Sequence, residues 1–249
     1  MTPIITEQRG QIAVLTLNTG RTKGINPALV LRFAELLNEI GKEARGLVLC
    51  GGKKFFSAGL DLPTVLELNR REMAEFWYGF NRLLIDLYTL PLPTACAISG
   101  HAVAGGNILA LACDYRYATT DERKKMGMNE IKLGIPFPYP ADLMLGQIVG
   151  ERIAARMIYG GDFISTAEAK AIGLVDEVHP DEVLEQYAVA KVEELAALQG
   201  PAFSATKSGF CESIKAQYEE NHQSKHECFL DCWFSEPTQE LLRDAAKKL

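Results

Sequence analysis

The feature that most narrows what this chain can fold into is a strand–helix–strand pattern between residues 11 and 51. Residues 11–17 (QIAVLTL) form a short apolar run of β type, followed by the polar loop NTGRTKG. Asn26 is a good helix N-cap and Pro27 a good first helical residue. Leu29, Val30, Phe33, Leu36, Leu37 and Ile40 then recur at the helical period up to Gly41. A second apolar strand, GLVLCG at 46–51, follows at once. Two strands joined through a helix are a βαβ unit, and such a crossover implies that the strands pair in parallel.

The pattern repeats with variation. Residues 72–88 read as a helix ended by Pro91 and Pro93, and TACAIS at 94–99 reads as a buried strand. The glycine-rich turn GHAVAGG (100–106) leads into a small apolar helix, and DYRYAT (114–119) is another strand. Residues 141–159, 165–172 and 181–198 are helical by period, and the remainder to Leu249 is helical with many charges. The expected organisation is an α/β core over residues 1–195 and a helical region over 196–249.

Composition excludes several functions. The 249 residues are 47% hydrophobic and 23% charged, which is ordinary globular usage. Acidic residues outnumber basic ones, 32 to 26, so no basic field exists to condense on nucleic acid or an anionic membrane. No apolar run approaches the ~18 residues of a membrane-spanning helix. The first residues lack the charged start and cleavage site of a signal peptide, and the final Lys-Lys-Leu fits a peroxisomal signal poorly. The expected location is cytoplasmic. Cys50, Cys96 and Cys113 sit in apolar runs as small hydrophobes, so a disulfide framework is not expected. His222 and His226 share one face of a helix, whereas Cys228 and Cys232 share another roughly 200° away. Those four cannot converge on one ion, and no metal site is expected.

Two strand-to-helix junctions are built from tiny residues: Phe56-Ser57-Ala58-Gly59-Leu60-Asp61 and Gly100 to Gly106. Such residues let a ligand approach the backbone, and helix N-termini leave N–H groups unpaired, so two of them could converge on one oxygen. Close helix–strand packing would use the same residues. Named motifs fail: Asn107 and Ile108 follow the glycines where a P-loop needs lysine and a hydroxyl. Phe55 occupies the first glycine position of a GxSxG elbow around Ser57.

FSAGLDL, then GHAVAGGNILALACDYRYA, MGMNEIKLGI (126–135) and STAEAKAIGLVDEV (165–178) together resemble the crotonase (enoyl-CoA hydratase/isomerase) superfamily, in that family's order and spacing. The resemblance runs from the first strand to about residue 210. It implies an α/β fold, a crotonase-type spiral of ββα units, assembled as a homotrimer or dimer of trimers. It implies an acyl-CoA thioester substrate, with coenzyme A part of that substrate and no other cofactor. The two oxyanion donors would fall on the N–H groups of Ala58, before the glycine of the A-G-x-D motif, and Gly105. Ala58, Gly59, Leu60 and Asp61 would line the bent CoA, and Lys23 and Lys207 match weakly the family's basic residues near it.

Two acidic positions decide the chemistry that the resemblance implies. A hydratase of this family carries one glutamate three residues after the second oxyanion donor and another in the later motif. The later one is present as Glu130; the earlier one falls on Ile108, which cannot move a proton. Losing one carboxylate dries the pocket and removes a hold on water. A single glutamate can still take a proton from C2 of a 3-enoyl-CoA and return it at C4. That is the logic of a Δ3,Δ2-enoyl-CoA isomerase, part of fatty acid β-oxidation in this family. GIPFPYP, with three prolines and two aromatics, would give the pocket an apolar, rigid wall. Hydratase activity, thioester hydrolysis and a non-catalytic acyl-CoA-binding scaffold are the alternatives. His101 reads as a packing or hydrogen-bonding residue, Trp77, Tyr78 and Phe80 as core or tail-bordering aromatics. Trp233 and Phe234 look suited to bury against a partner subunit.

Overall fold

A computed structural model describes residues 2–248. Met1 and Leu249 lie outside the described residues, and with Leu249 the end of the Lys-Lys-Leu run. The strands in chain order are β1 (Ile4–Arg9), β2 (Ile12–Leu17), β3 (Gly46–Cys50), β4 (Phe55–Ser57), β5 (Thr94–Ile98), β6 (His101–Val103), β7 (Tyr115–Thr119), β8 (Lys125–Gly127), β9 (Phe163–Ser165) and β10 (Glu177–His179). The helices are α1 (Pro27–Glu43), α2 (Leu62–Val65), α3 (Arg70–Tyr88), α4 (Gly105–Leu111), α5 (Tyr139–Val149), α6 (Glu151–Gly160), α7 (Thr166–Ala171), α8 (Asp181–Ala196), α9 (Gly200–Trp233) and α10 (Glu236–Ala246), with a 3₁₀ turn at Glu130–Leu133.

The strands make two sheets. The larger runs β1-β2-β3-β5-β7-β10, parallel throughout except for the β1–β2 hairpin. The β2–β3 register, Ile12 opposite Gly46, is the parallel pairing that the first βαβ unit requires. The smaller runs β4-β6-β8-β9 and is built from three-residue strands. β3, β5 and β7 of the large sheet are each followed by a strand of the small sheet and then by a helical turn, so ββα is the repeat: β3-β4-α2, β5-β6-α4, then β7-β8 and the 3₁₀ turn. The family's spiral is therefore present.

The chain crosses between sheets through backbone contacts that leave no room for a side chain. A Cβ on Gly100 would lie 2.4 Å from the Gly52 carbonyl oxygen, and one on Gly106 would lie 2.1 Å from that of Ser57. Both glycines serve close packing, the plainer of their two sequence readings.

Local signals set the helix starts. The Asn26 side chain accepts the Leu29 N–H with Pro27 behind it, and Asn69 and Glu72 form a capping box at α3. The helix expected over 141–159 is instead two, because Gly150 adopts φ 80°, which breaks the ladder between α5 and α6. The C-terminal helices share the main core: Cys211, Ile214, Phe229, Trp233 and Leu242 are buried in one cluster with β2, β3 and α3. Trp233 is fully buried in its own chain, so it offers no apolar face to a partner, contrary to expectation. No helix among the described residues is long and apolar enough to cross a membrane.

Candidate active site

The junction after β4 is held against the loop that precedes α1. The Ala58 N–H donates to the Thr22 carbonyl (2.9 Å), Ile25 N–H to the Gly59 carbonyl (2.8 Å), and Asp61 N–H to the Ile25 carbonyl (2.9 Å). Ser57 Oγ donates to the Lys23 carbonyl (2.7 Å) and accepts the Gly59 N–H (3.2 Å). One N–H of the segment is left over: that of Leu60 finds no acceptor among the described residues. This corrects the assignment of the free donor to Ala58, whose N–H is spent on Thr22. The unspent donor is two residues on, after the glycine.

The second junction supplies another unspent donor. Gly105 opens α4, and a first helical residue has no intrahelical acceptor for its N–H. Ala104, just before it, is held at φ 49°, ψ −131°, a conformation that a residue with a Cβ adopts only under strain. Its N–H is tied to the Gly127 carbonyl (2.9 Å) and its carbonyl receives the Ile108 N–H (3.1 Å). A Cβ on Gly59 would lie 2.9 Å from the Gly105 nitrogen, so the peptide carrying the Leu60 N–H abuts the one carrying Gly105 N–H. Two main-chain donors thus stand side by side.

They open on a cavity of about 190 Å³ whose wall includes Ala58, Leu60, Gly105, Ile108 and Glu130. Trp77, Phe80, Ile135 and Pro138 also line it, in keeping with the tail-bordering aromatics and the rigid GIPFPYP wall. Sequence reasoning missed Phe55, Leu62, Val103, Asn129, Leu133, Phe163 and Ala245. Phe163 and Ala245 come from β9 and α10, far along the chain, and carry no local signal.

Glu130 begins the 3₁₀ turn and is 6% exposed. Burial pushes its carboxyl up to about 7, against the opposing pull of hydrogen bonds from the main-chain N–H groups of Glu130 and Asn129. Its Oε2 has no hydrogen-bond partner among the described residues. Glu130 also carries the one carboxylate on the described cavity wall, and Ile108, one helical turn beyond Gly105, is an apolar part of that wall. The arrangement can bind an oxygen at the two N–H groups and exchange a proton at Glu130.

Other expected residues lie elsewhere. Gly59 and Asp61 are not on the wall; Asp61 Oδ2 accepts from Asn26 Nδ2 (3.2 Å) and Thr64 Oγ1 (2.8 Å), which clasps α1 to α2. Lys207 is off the cavity wall and is not a surface lysine. It is buried, with Nζ on Asp114 Oδ2 (2.7 Å) and the Leu92 carbonyl (2.9 Å), and pins α9 to the large sheet. Lys23 Nζ reaches Asn18 Oδ1 at 3.5 Å and is off the cavity wall. His101 Nδ1 accepts the Lys125 N–H (3.0 Å) while its ring packs on Phe55, and burial lowers its pKa. Tyr78 is exposed and faces His222 and His226 instead of the cavity.

Residues 7–241 match the family model described as enoyl-CoA hydratase/isomerase. A protein of Thermus thermophilus named putative enoyl-CoA hydratase is 34% identical over 206 residues, 80% of each chain. The mouse mitochondrial enoyl-CoA delta isomerase 1 is 33% identical over 208 residues, 82% of this chain and 71% of that one. Among solved structures, human mitochondrial delta3-delta2-enoyl-CoA isomerase superposes with a TM-score of 0.94 at 25% identity, covering 99% of this chain and 97% of that one.

Proposed function

The chain belongs to the enoyl-CoA hydratase/isomerase family, and on that premise we propose that it shifts the double bond of a 3-enoyl-CoA to give the trans-2-enoyl-CoA. The observation that carries this reading is Glu130, the lone carboxylate on the described wall, with Ile108 where a second proton-handling group would be needed.

The thioester carbonyl oxygen accepts the N–H groups of Leu60 and Gly105. Glu130 removes a proton from C2, and the electron pair passes into the carbonyl as a dienolate, which the two donors stabilise. Each such donor is worth about 3 kcal/mol in a transition state. The protonated Glu130 then delivers the proton to C4, leaving the double bond between C2 and C3. One proton leaves and one returns, so the reaction consumes no cofactor. A carboxyl raised to about 7 suits both halves, since it is neither too weak a base nor too weak an acid at neutral pH. Hydration would instead require water to be held and deprotonated, and besides Glu130 the side chains on the described wall with polar atoms, Asn129 and Trp77, supply no second base. The resemblance also supports assembly as a homotrimer or dimer of trimers, which light scattering reads directly.

The test is to add 3-hexenoyl-CoA and follow the ultraviolet absorbance of the conjugated enoyl thioester. Isomerisation raises that signal, hydrolysis releases free thiol, and a scaffold gives binding alone. Glu130→Gln should lower kcat by about 10²–10⁴ while acyl-CoA still binds. A variant that kept more than about a tenth of the rate would remove Glu130 from the base role, and faster hydration of 2-enoyl-CoA than isomerisation by the unmutated protein would overturn the reading.

A further inference from the structure

Trp77 stands between two cavities. On one side it lines the cavity that holds Glu130; on the other it lines a second of about 190 Å³, and Trp77 and Pro138 are the described residues common to both. The indole cannot swing aside easily. It is 4% exposed and stacks on Phe229 of α9 at a centroid separation of 3.5 Å and an interplanar angle of 5°. Phe80 flanks the indole at 5.9 Å and Trp233 backs Phe229 at 5.6 Å. Moving Trp77 therefore means parting α3 from α9.

The space beyond it is unlike the space before it. The second cavity sets the polar Asn81, Asp142, His222 and Lys225 among apolar walls such as Phe137 and Phe229. Asn81 is 6% exposed and spends its Nδ2 on the Trp77 carbonyl (2.8 Å), which leaves its buried Oδ1 without a partner among the described residues. An alkyl tail pushed into that space would cover polar groups and give them nothing in return. The first cavity, about 190 Å³, is somewhat larger than the roughly 150 Å³ that admits a benzene ring, which is room for a thioester carbonyl and a short tail.

We propose that Trp77 ends the tail pocket and fixes the substrate class as short acyl chains of about four to six carbons. This rests on the acyl-CoA reading of the same site. The test uses saturated butanoyl-, hexanoyl- and decanoyl-CoA, which carry no double bond to move, so calorimetric affinity is read apart from any chemistry. Hexanoyl-CoA should bind more tightly than butanoyl-CoA, by about four-fold for each added methylene. Decanoyl-CoA should bind at least about ten-fold more weakly than hexanoyl-CoA, since its surplus methylenes overpack the wall. Trp77→Ala removes the indole that ends the pocket and frees its own volume for the surplus methylenes, and should move the decanoyl-to-hexanoyl ratio at least about ten-fold toward decanoyl. Trp77→Phe preserves a ring on Phe229 and should keep the wild-type order. Affinity that climbs steadily through decanoyl-CoA in the unmutated protein would overturn the proposal whether or not Trp77→Ala folds. So would a folded Trp77→Ala variant with the wild-type ratio. A flat absorbance with 3-hexenoyl-CoA, together with the expected affinity series, would remove the isomerase reading and leave the tail limit standing. Failure to bind any of the three thioesters would remove both.

Discussion

Replacing Glu130 by glutamine should stabilise the fold, and by an amount that depends on pH. The carboxyl moves from an ordinary 4.5 to about 7 because it is buried, with Oε2 facing no donor. At about 1.4 kcal/mol for each pH unit, ionising it in the folded chain costs about 3 kcal/mol more than in the unfolded chain. The folded-state value is the raised one. The wild type therefore folds free of this cost below about pH 4.5, loses stability as pH rises through 7, and levels off about 3 kcal/mol lower. Glutamine has the same shape and does not titrate. The difference in unfolding free energy, variant minus wild type, should thus grow by about 3 kcal/mol between about pH 4 and pH 8. In a chain of this size that is a gain in Tm of about 6–12 °C at the alkaline end. Urea unfolding followed by tryptophan fluorescence measures it, since Trp77 and Trp233 are both buried. Every other titrating group is common to the two proteins and cancels. A difference that stays constant across the range would refute the claim that Glu130 is held above its ordinary value by burial.

Three further outcomes are expected. Ile108→Glu places a carboxyl one turn beyond Gly105 and should lower isomerisation and raise 2-enoyl-CoA hydration to a detectable rate, at a stability cost of about 1–3 kcal/mol for the polar group buried in its protonated form; coupled hydration assays and melts read both. Lys207→Met leaves Asp114 without its buried cation and should lose about 3 kcal/mol in denaturant unfolding with no change in acyl-CoA affinity, which separates a structural ion pair from a CoA contact. Ala104→Gly relieves the strain at φ 49° and should raise the unfolding free energy by about 1 kcal/mol by the same assay.

What could be read in the sequence follows from length. β2, β3, β5 and α1 announce themselves because each repeats its period several times, and Asn26-Pro27 marks where α1 begins. The small sheet does not, because three residues such as Phe55–Ser57 or His101–Val103 hold no period, and the glycine-rich turns read as entering their helices directly. β1 escaped for another reason: five of its six residues are exposed, so it lacks an apolar run. Glu130, Ile108 and Gly105 were found by motif and do share one cavity wall. The free donor was misplaced on Ala58, because which N–H remains unspent depends on Thr22 and Ile25, residues more than thirty positions away. Lys207 failed in the same manner: its partner Asp114 is 93 positions distant, and no local pattern links them.

The backbone contacts at Gly100 and Gly106 bear on how such a chain can change over generations. Every amino acid other than glycine brings a Cβ, and here that one atom would sit inside a neighbouring main-chain group. No conservative replacement exists at either place, and a compensating change in a side chain elsewhere cannot help, because the obstacle is backbone. The acyl pocket, by contrast, is walled by leucines, isoleucines and aromatics that can be exchanged for one another within their volume. New substrate preferences can therefore be reached by many single steps at the wall, while the crossings that set the two donors side by side have none open to them.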